Sequence, residues 1–318
     1  MKENISRKSA IAIFITVVIA LICATIAMCT TSTVASFNNK SSYFEAIGVN
    51  DDISADSSVS DIIPAIGKYD AFLADDEEAA CLMAMFIYAN KSNIYTVQDY
   101  RTPEEYKQIY PNNLSQSYYN TELKKRYGIE ANGTCSLIAM IIASDALGVN
   151  KQLSWDGCYT VEEKNLAMLK ELHDISLKYG NEYITENCGT RSSTIPMILQ
   201  EFYRNHGYNI NLSNIVLKDD LRKNVEDKKR LPSIISIHNY LNQYNGEGGG
   251  HTVALVGTYK IRLKYKKLKY GISQWGDFNA FIICDGWHNS SGKDIGNTYQ
   301  LLLFNTDVKN NVYLINLV

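Results

Sequence analysis

Residues 132–147 have the sequence NGTCSLIAMIIASDAL, in which a short polar loop leads into a segment that is apolar nearly all round. This pattern predicts a buried helix that begins near Cys135, with Gly133 or Thr134 as its N-cap. The backbone N–H groups of a first helical turn lack partners within the helix, and together with the helix dipole they favour a thiolate over a thiol. Because a thiolate is the attacking species in covalent acyl transfer, Cys135 is a candidate nucleophile.

A candidate base and a group to orient it lie downstream. The glycine-rich segment 246–250 is followed by His251 and then by β-branched and apolar residues, which predict a strand with the histidine at its opening. A second buried strand, residues 280–285, ends in Asp285 and is followed by a Gly-Trp pair. If these two strands pair, Asp285 reaches the imidazole of His251 and orients it.

The order Cys135, His251, Asp285, with the Gly-His-apolar strand and the Asp285-Gly-Trp287 motif, resembles the papain-like cysteine peptidase superfamily and, within it, the divergent bacterial members. The similarity covers residues 132 to 287, about half of the chain, through short motifs. The resemblance implies an α+β papain-like fold, with the nucleophile helix in an N-terminal helical lobe and an antiparallel sheet in a C-terminal lobe. It also implies that Cys135 attacks an amide carbonyl, that His251 transfers the proton, and that Asp285 replaces papain's Asn.

The sequence departs from this family where the oxyanion would bind. The family has a Gln six residues before the nucleophile, and Ile129 occupies that position here. Asn132 is the nearest amide, so it is the candidate oxyanion donor together with the Cys135 backbone N–H. His251 lies 116 positions after Cys135, fewer than the roughly 130–150 of papain-type enzymes, which predicts a compact core.

Other residues compete for these roles. Cys188 is a second candidate nucleophile, although a polar segment rather than an apolar helix follows it. His238 lies in the preceding apolar strand and is the alternative base, and His288 could gate the cleft. Each candidate also has an ordinary structural explanation: a small buried Cys, a His in a strand, or an Asp that caps a glycine turn.

The N-terminal segment predicts export. Lys2, Arg7 and Lys8 precede residues 10–28, which carry no charge and are numerous enough to cross a bilayer. Positive charge on the N-terminal side places that end in the cytoplasm. The segment is either a single-pass membrane anchor, with the catalytic domain outside, or a signal cleaved after Ala35 that releases a secreted protein.

The composition excludes several classes of protein. A chain of 318 residues with 46% hydrophobic and 20% charged residues is typical of globular proteins. The net charge of −3 indicates no nucleic-acid partner. Seven Cys without regular spacing predict neither a disulfide framework nor a zinc site, so we expect no metal and no cofactor.

We expect four segments along the chain: a membrane or signal segment at 1–29, a linker at 30–69, a helical extension at 70–128 that could be an inhibitory prosegment, and the peptidase domain at 129–318. Helices are predicted at 79–89, 102–109, 115–127, 160–179, 193–205 and 219–227, and strands at 233–240, 251–263, 280–285, 299–305 and 312–318. Helices first and antiparallel strands later indicate an α+β fold. Residues 260–270 alternate charged and apolar residues, which predicts strands with one solvated face or a basic rim for anionic wall polymer or lipid.

Three hypotheses for function follow. The first is an exported cysteine peptidase that uses the Cys135, His251 and Asp285 triad on a peptide or protein substrate. The second keeps the triad but takes peptidoglycan stem peptides as substrate, as a cell-wall amidase or endopeptidase. The third is a catalytically inactive papain-fold binding domain, which the missing upstream Gln favours.

Overall fold

The computed structural model describes residues 71–74, 80, 81, 84, 87, 95–101, 106–109, 111–183, 189–210, 212–216, 231–242, 246–267, 273–286, 299–304 and 313–317. The predicted membrane segment, the linker, the helix at 219–227, Cys188, Trp287 and His288 all lie outside these residues. Within the described part of the chain, no helix is both long and apolar enough to span a membrane.

The described part of the chain contains four complete α-helices: α1 (Gln116–Tyr127), α2 (Cys135–Ala146), α3 (Val161–Lys178) and α4 (Ile195–Asn205). All four were predicted from the sequence. Local capping explains where they begin, since the Ser115 side chain accepts from the Tyr118 N–H before α1 and Thr160 forms a capping box with Glu163 before α3. A 3₁₀ turn, Ser192–Thr194, leads into α4, whose first turn contains a proline.

The described strands form one sheet. They are β1 (Ala71–Ala74), β2 (Tyr95–Arg101), β3 (Tyr106–Gln108), β4 (Leu212–Val216), β5 (Ser233–Asn242), β6 (Gly246–Lys267), β7 (Ser273–Cys284), β8 (Gln300–Phe304) and β9 (Tyr313–Leu317). Five of them pair in succession, β5 with β6, β6 with β7, β7 with β8, β8 with β1, and β1 with β5, so these five close into a ring. The strands β2 and β3 add to β6, and β9 joins β5 to β4.

The α+β class is confirmed, with one departure from a purely antiparallel sheet. Among the described pairings, β1 runs parallel to β5 and every other pair is antiparallel. An apolar cluster from β1, β5, β6, β7 and β8 forms the core of the ring, and its aliphatic and aromatic side chains are almost wholly buried. The helix α2 packs against β5 and β6, and its residues 136–144 are all buried.

The segment at 70–128 is not a separate helical extension. Its strand β1 lies between β8 and β5, and β2 and β3 both pair with β6. The helix predicted at 102–109 is wrong, because 106–108 form a strand. Ala80, Cys81, Ala84 and Ile87 are helical and buried, in agreement with the helix predicted at 79–89. The chain from Ile63 to Val318 forms one compact unit, so the expected boundary at residue 129 is not present.

The strand that carries the candidate base also differs from the prediction. The glycine-rich segment 246–250 is the first part of β6 rather than a loop, and it pairs with β5. His251 therefore lies within a paired strand instead of at its opening. Beyond it, β6 continues to Lys267, where Ile261 and Leu263 are buried and Arg262 is exposed, as the alternating pattern predicted.

Candidate functional site

Cys135 is the first residue of α2 and is partly exposed. The preceding Thr134 does not cap the helix with its side chain; its hydroxyl donates to Asn120 Oδ1 over 2.6 Å instead. Cys135 Sγ lies within hydrogen-bonding range of its own backbone, the Ser136 backbone, the Thr252 backbone and the Thr252 hydroxyl. Burial of the surroundings nevertheless raises the pKa of the Cys135 thiol, and these hydrogen bonds offset the increase only in part.

Thr252 links the nucleophile helix to the strand of the candidate base. It follows His251 directly on β6, and its Oγ1 lies 3.0 Å from Ser236 Oγ on the neighbouring β5. Both hydroxyl groups belong to buried residues. The sulfur of Cys135 is therefore held against Thr252, the residue that follows His251 on β6.

The imidazole of His251 is 2% exposed, and its Nε2 donates to the backbone carbonyl of Asp285 over 2.8 Å. With the hydrogen on Nε2, the neutral ring carries its lone pair on Nδ1. Burial lowers the pKa of His251 to about 4, although the nearby Asp285 carboxylate and carbonyl act in the opposite direction. Near neutral pH the site thus holds a neutral imidazole and a neutral thiol.

Asp285 contacts His251 through its main-chain carbonyl rather than through its carboxylate. Its carboxylate Oδ1 accepts from Asn113 Nδ2 at 3.2 Å, while Asn113 Oδ1 accepts from the backbone N–H groups of Leu114 at 3.0 Å and Gly286 at 3.3 Å. The Gln116 N–H also donates to the Gly286 carbonyl over 2.8 Å. Asn113 therefore fixes both the carboxylate and the turn whose carbonyl orients the imidazole.

An aromatic ring covers the His251 imidazole. Tyr240 on β5 has its ring centroid 5.8 Å from that of His251, with 35° between the planes, and is 2% exposed. Burial, followed by the nearby Cys135 and Asp285, raises the pKa of Tyr240. The alternative base, His238, is exposed and lies against Gly250.

A series of hydrogen-bonded hydroxyl groups supports the start of α2. Ser136 Oγ donates to Thr190 Oγ1, and the Tyr183 hydroxyl lies 2.5 Å from both Thr190 Oγ1 and Ser176 Oγ. The Tyr183 carbonyl also accepts from the Asn132 N–H over 2.6 Å. We call Ser136, Thr190, Tyr183 and Ser176 the hydroxyl chain; it fixes the loop and the first turn that present Cys135.

A cleft of about 580 Å³ opens beside Cys135. It is also bordered by Gly250 and Gly286, the chain neighbours of His251 and Asp285, whereas His251 and Asp285 themselves are buried and are not among its lining residues. The predicted oxyanion donor, Asn132, is exposed and lines the cleft. The rest of the lining comes from Gln116, Ser117, Asn120, Thr121, Lys124, Glu130, Ala131 and Gly133.

Sequence interpretation missed Asn113, Tyr240 and Gln116. Gln116 is a second amide at the cleft, but it lies 19 residues before Cys135 in the chain rather than six. The polar Asn-Asn pair ahead of the Ser115 cap was the one local signal for Asn113. No local sequence signal pointed to Tyr240, because its role depends on the pairing of β5 with β6.

No protein-family model and no curated protein sequence matches this chain. In the part of the chain that the structure describes, no group of three or more His, Cys, Asp or Glu side chains is placed to hold a metal ion. The chemistry of the site is therefore inferred from its own geometry.

Proposed function

We propose that the protein is a thiol-dependent hydrolase of papain-like type that cleaves amide bonds in peptides. Cys135 is the nucleophile, His251 is the base, and Asp285 orients the imidazole through its backbone carbonyl. The position of Cys135 carries this proposal. Cys135 starts a buried helix and borders an open cleft. Its sulfur contacts Thr252, which follows His251 in the chain, and His251 donates a hydrogen bond to the Asp285 carbonyl.

The neutral state of the site determines how the reaction begins. Since burial disfavours both the thiolate and the imidazolium, His251 Nδ1 takes the thiol proton as Sγ attacks the substrate carbonyl carbon. The new C–S bond converts the carbonyl into an oxyanion. The backbone N–H of Cys135 and the side-chain amide of Asn132 or Gln116 stabilise that charge.

The remaining steps return the enzyme to its starting state. The imidazolium of His251 gives its proton to the leaving amine as the C–N bond breaks, which leaves an acyl group on Cys135. His251 then removes a proton from water, the water oxygen attacks the thioester carbonyl, and the C–S bond breaks with return of the proton to sulfur. The Asp285 carbonyl holds Nε2–H throughout, so the ring keeps the tautomer that both steps need.

A covalent peptide probe tests this proposal. Full-length protein in detergent is treated with a peptidyl vinyl sulfone, and the labelled residue is identified by mass spectrometry. We expect Cys135 to be labelled at least tenfold faster than the partly exposed Cys158, and this advantage to be lost in His251→Ala. Labelling of Cys135 that is no faster than that of Cys158, or is unchanged in His251→Ala, would overturn the proposal and favour an inactive binding domain.

A further inference from the structure

The cleft beside Cys135 is lined along α1 by polar and charged side chains. The side chains contributed by α1 are at positions 116, 117, 120, 121 and 124, a spacing that places them on one face of the helix. All five are polar or charged. The opposite face carries Tyr119 and Leu123, which are buried, and the Tyr119 hydroxyl accepts from Asn165 of α3. The apolar part of α1 is therefore used in packing and only its polar face meets the cleft.

The other walls contribute small residues and bare backbone. Gly133, Gly250 and Gly286 lie around Cys135, and Ala131 is the only aliphatic residue of the described lining. Gly286 has φ +75°, and a Cβ there would lie 3.3 Å from Ile138 Cγ2. The absence of a Cβ at Gly286 therefore lets this turn pack closely against α2 at the edge of the cleft.

Charges of both signs lie at the cleft. Lys124 Nζ is 2.5 Å from Glu130 Oε1, and both side chains are largely exposed. Each lines the cleft. An exposed ion pair of this kind is weak, so a charged substrate residue of either sign can replace one partner and pair with the other.

We infer that the substrate is a hydrophilic peptide with small, polar or charged side chains, bound in an extended form along the polar face of α1; this rests on the proposed function. Pockets that select apolar side chains are lined mainly by apolar and aromatic side chains, whereas the described lining has no aromatic side chain and Ala131 as its one aliphatic residue. A Leu or Phe side chain in this cleft would desolvate amide and hydroxyl groups without replacing their hydrogen bonds. Short polar side chains supply those bonds.

Two matched variants of α1 test the inference. Thr121→Leu adds an apolar side chain to the cleft, and Lys125→Leu adds one to an exposed position of the same helix that does not line it. We measure kcat/KM of the full-length protein for internally quenched peptides of equal length, one rich in Ala, Ser, Asn and Glu and one rich in Leu and Phe. We expect the hydrophilic peptide to be preferred by at least tenfold, the preference to fall several-fold in Thr121→Leu, and no such fall in Lys125→Leu.

The same assay distinguishes a cell-wall peptide from a protein-derived peptide. It also distinguishes failure of the substrate inference from failure of the proposed function. A stem-peptide fragment containing D-Glu and D-Ala is compared with its all-L counterpart; faster cleavage of either one supports the inference and assigns the source to cell wall or to protein. Preference for the Leu- and Phe-rich peptide, with vinyl sulfone labelling of Cys135 that depends on His251, would overturn the inference and leave the hydrolase intact. No cleavage and no selective labelling would overturn both.

Discussion

The imidazole of His251 is nearly enclosed by protein, and a buried group that gains a charge without full pairing costs free energy. The position of Cys135 at a helix start, with His251 as its base, suggests from sequence a thiolate beside an imidazolium. Here burial opposes both charges. The balance between helix N–H groups and desolvation, which decides the protonation state, depends on packing and is not visible in the local sequence.

The buried His251 predicts how stability depends on pH. Its pKa is about 4 in the folded protein and 6.5 in an unfolded chain. The unfolded chain therefore binds the proton first as the pH falls. The stability that the neutral His251 contributes to the folded protein is complete above pH 6.5 and is lost between pH 6.5 and 4. The loss is about 3 kcal/mol. Urea unfolding between pH 4.5 and 7.5 should show this decline in the wild type and a flatter profile in His251→Gln.

The control for that measurement is His238→Gln, since His238 is exposed on the adjacent strand. The free energy of unfolding of this variant should fall with decreasing pH as it does in the wild type. An equally steep decline in His251→Gln would show that other groups cause the pH dependence and that the imidazole does not remain neutral in the folded state.

The hydrogen bonds of Asn113 predict how its substitution changes stability and catalysis. Asn113→Ala removes the donor to the buried Asp285 carboxylate and the acceptor for the Gly286 N–H. We expect a loss of about 1–3 kcal/mol in the free energy of unfolding and a fall of about tenfold or more in kcat, with KM changed little. Steady-state kinetics and urea unfolding measure the two. The adjacent Asn112→Ala, at an exposed residue, should change neither; equal effects of the two variants would argue against a positioning role for Asn113.

The helices could be predicted from local sequence signals, whereas several strands could not, because they depend on pairing with distant parts of the chain. The helices α1 to α4 were found from signals that are close together in sequence: the caps before α1 and α3, the proline in the first turn of α4 and the continuous apolar segment of α2. The strands β2 and β3 were missed because each is held by β6, more than 130 residues downstream. The glycines of β6 were interpreted as a loop for the same reason, since it is pairing with β5 that makes them a strand.

The hydroxyl chain predicts how the first turn of α2 depends on its support. Tyr183→Phe removes the group that bonds to both Thr190 and Ser176, so we expect about 1–3 kcal/mol of destabilisation and slower labelling of Cys135. Chemical denaturation and the vinyl sulfone assay measure these changes. Tyr179→Phe, which loses a hydrogen bond to Glu201 near the surface, is the control and should leave labelling unchanged; unchanged labelling in Tyr183→Phe would exclude a role for the chain at Cys135.

For the whole molecule, the position of β1 predicts which truncations fold. A chain that begins at residue 129 lacks β1, β2, β3 and α1, so the ring of strands is open and Asn113 and Gln116 are absent. We expect it to show no cooperative thermal unfolding by circular dichroism. A chain that begins at Ile63, the start of the compact unit, should unfold cooperatively. Cooperative unfolding and full activity of the shorter chain would restore the interpretation of residues 70–128 as a removable prosegment.

The closed ring also dictates when the protein can fold during its synthesis. Ala71 of β1 is paired with Phe304 of β8, more than two hundred residues later in the chain. Contacts between such distant positions form slowly, and the ring cannot close before nearly the whole chain has left the ribosome. The nascent polypeptide therefore lacks its closed sheet until nearly all of it has been synthesised.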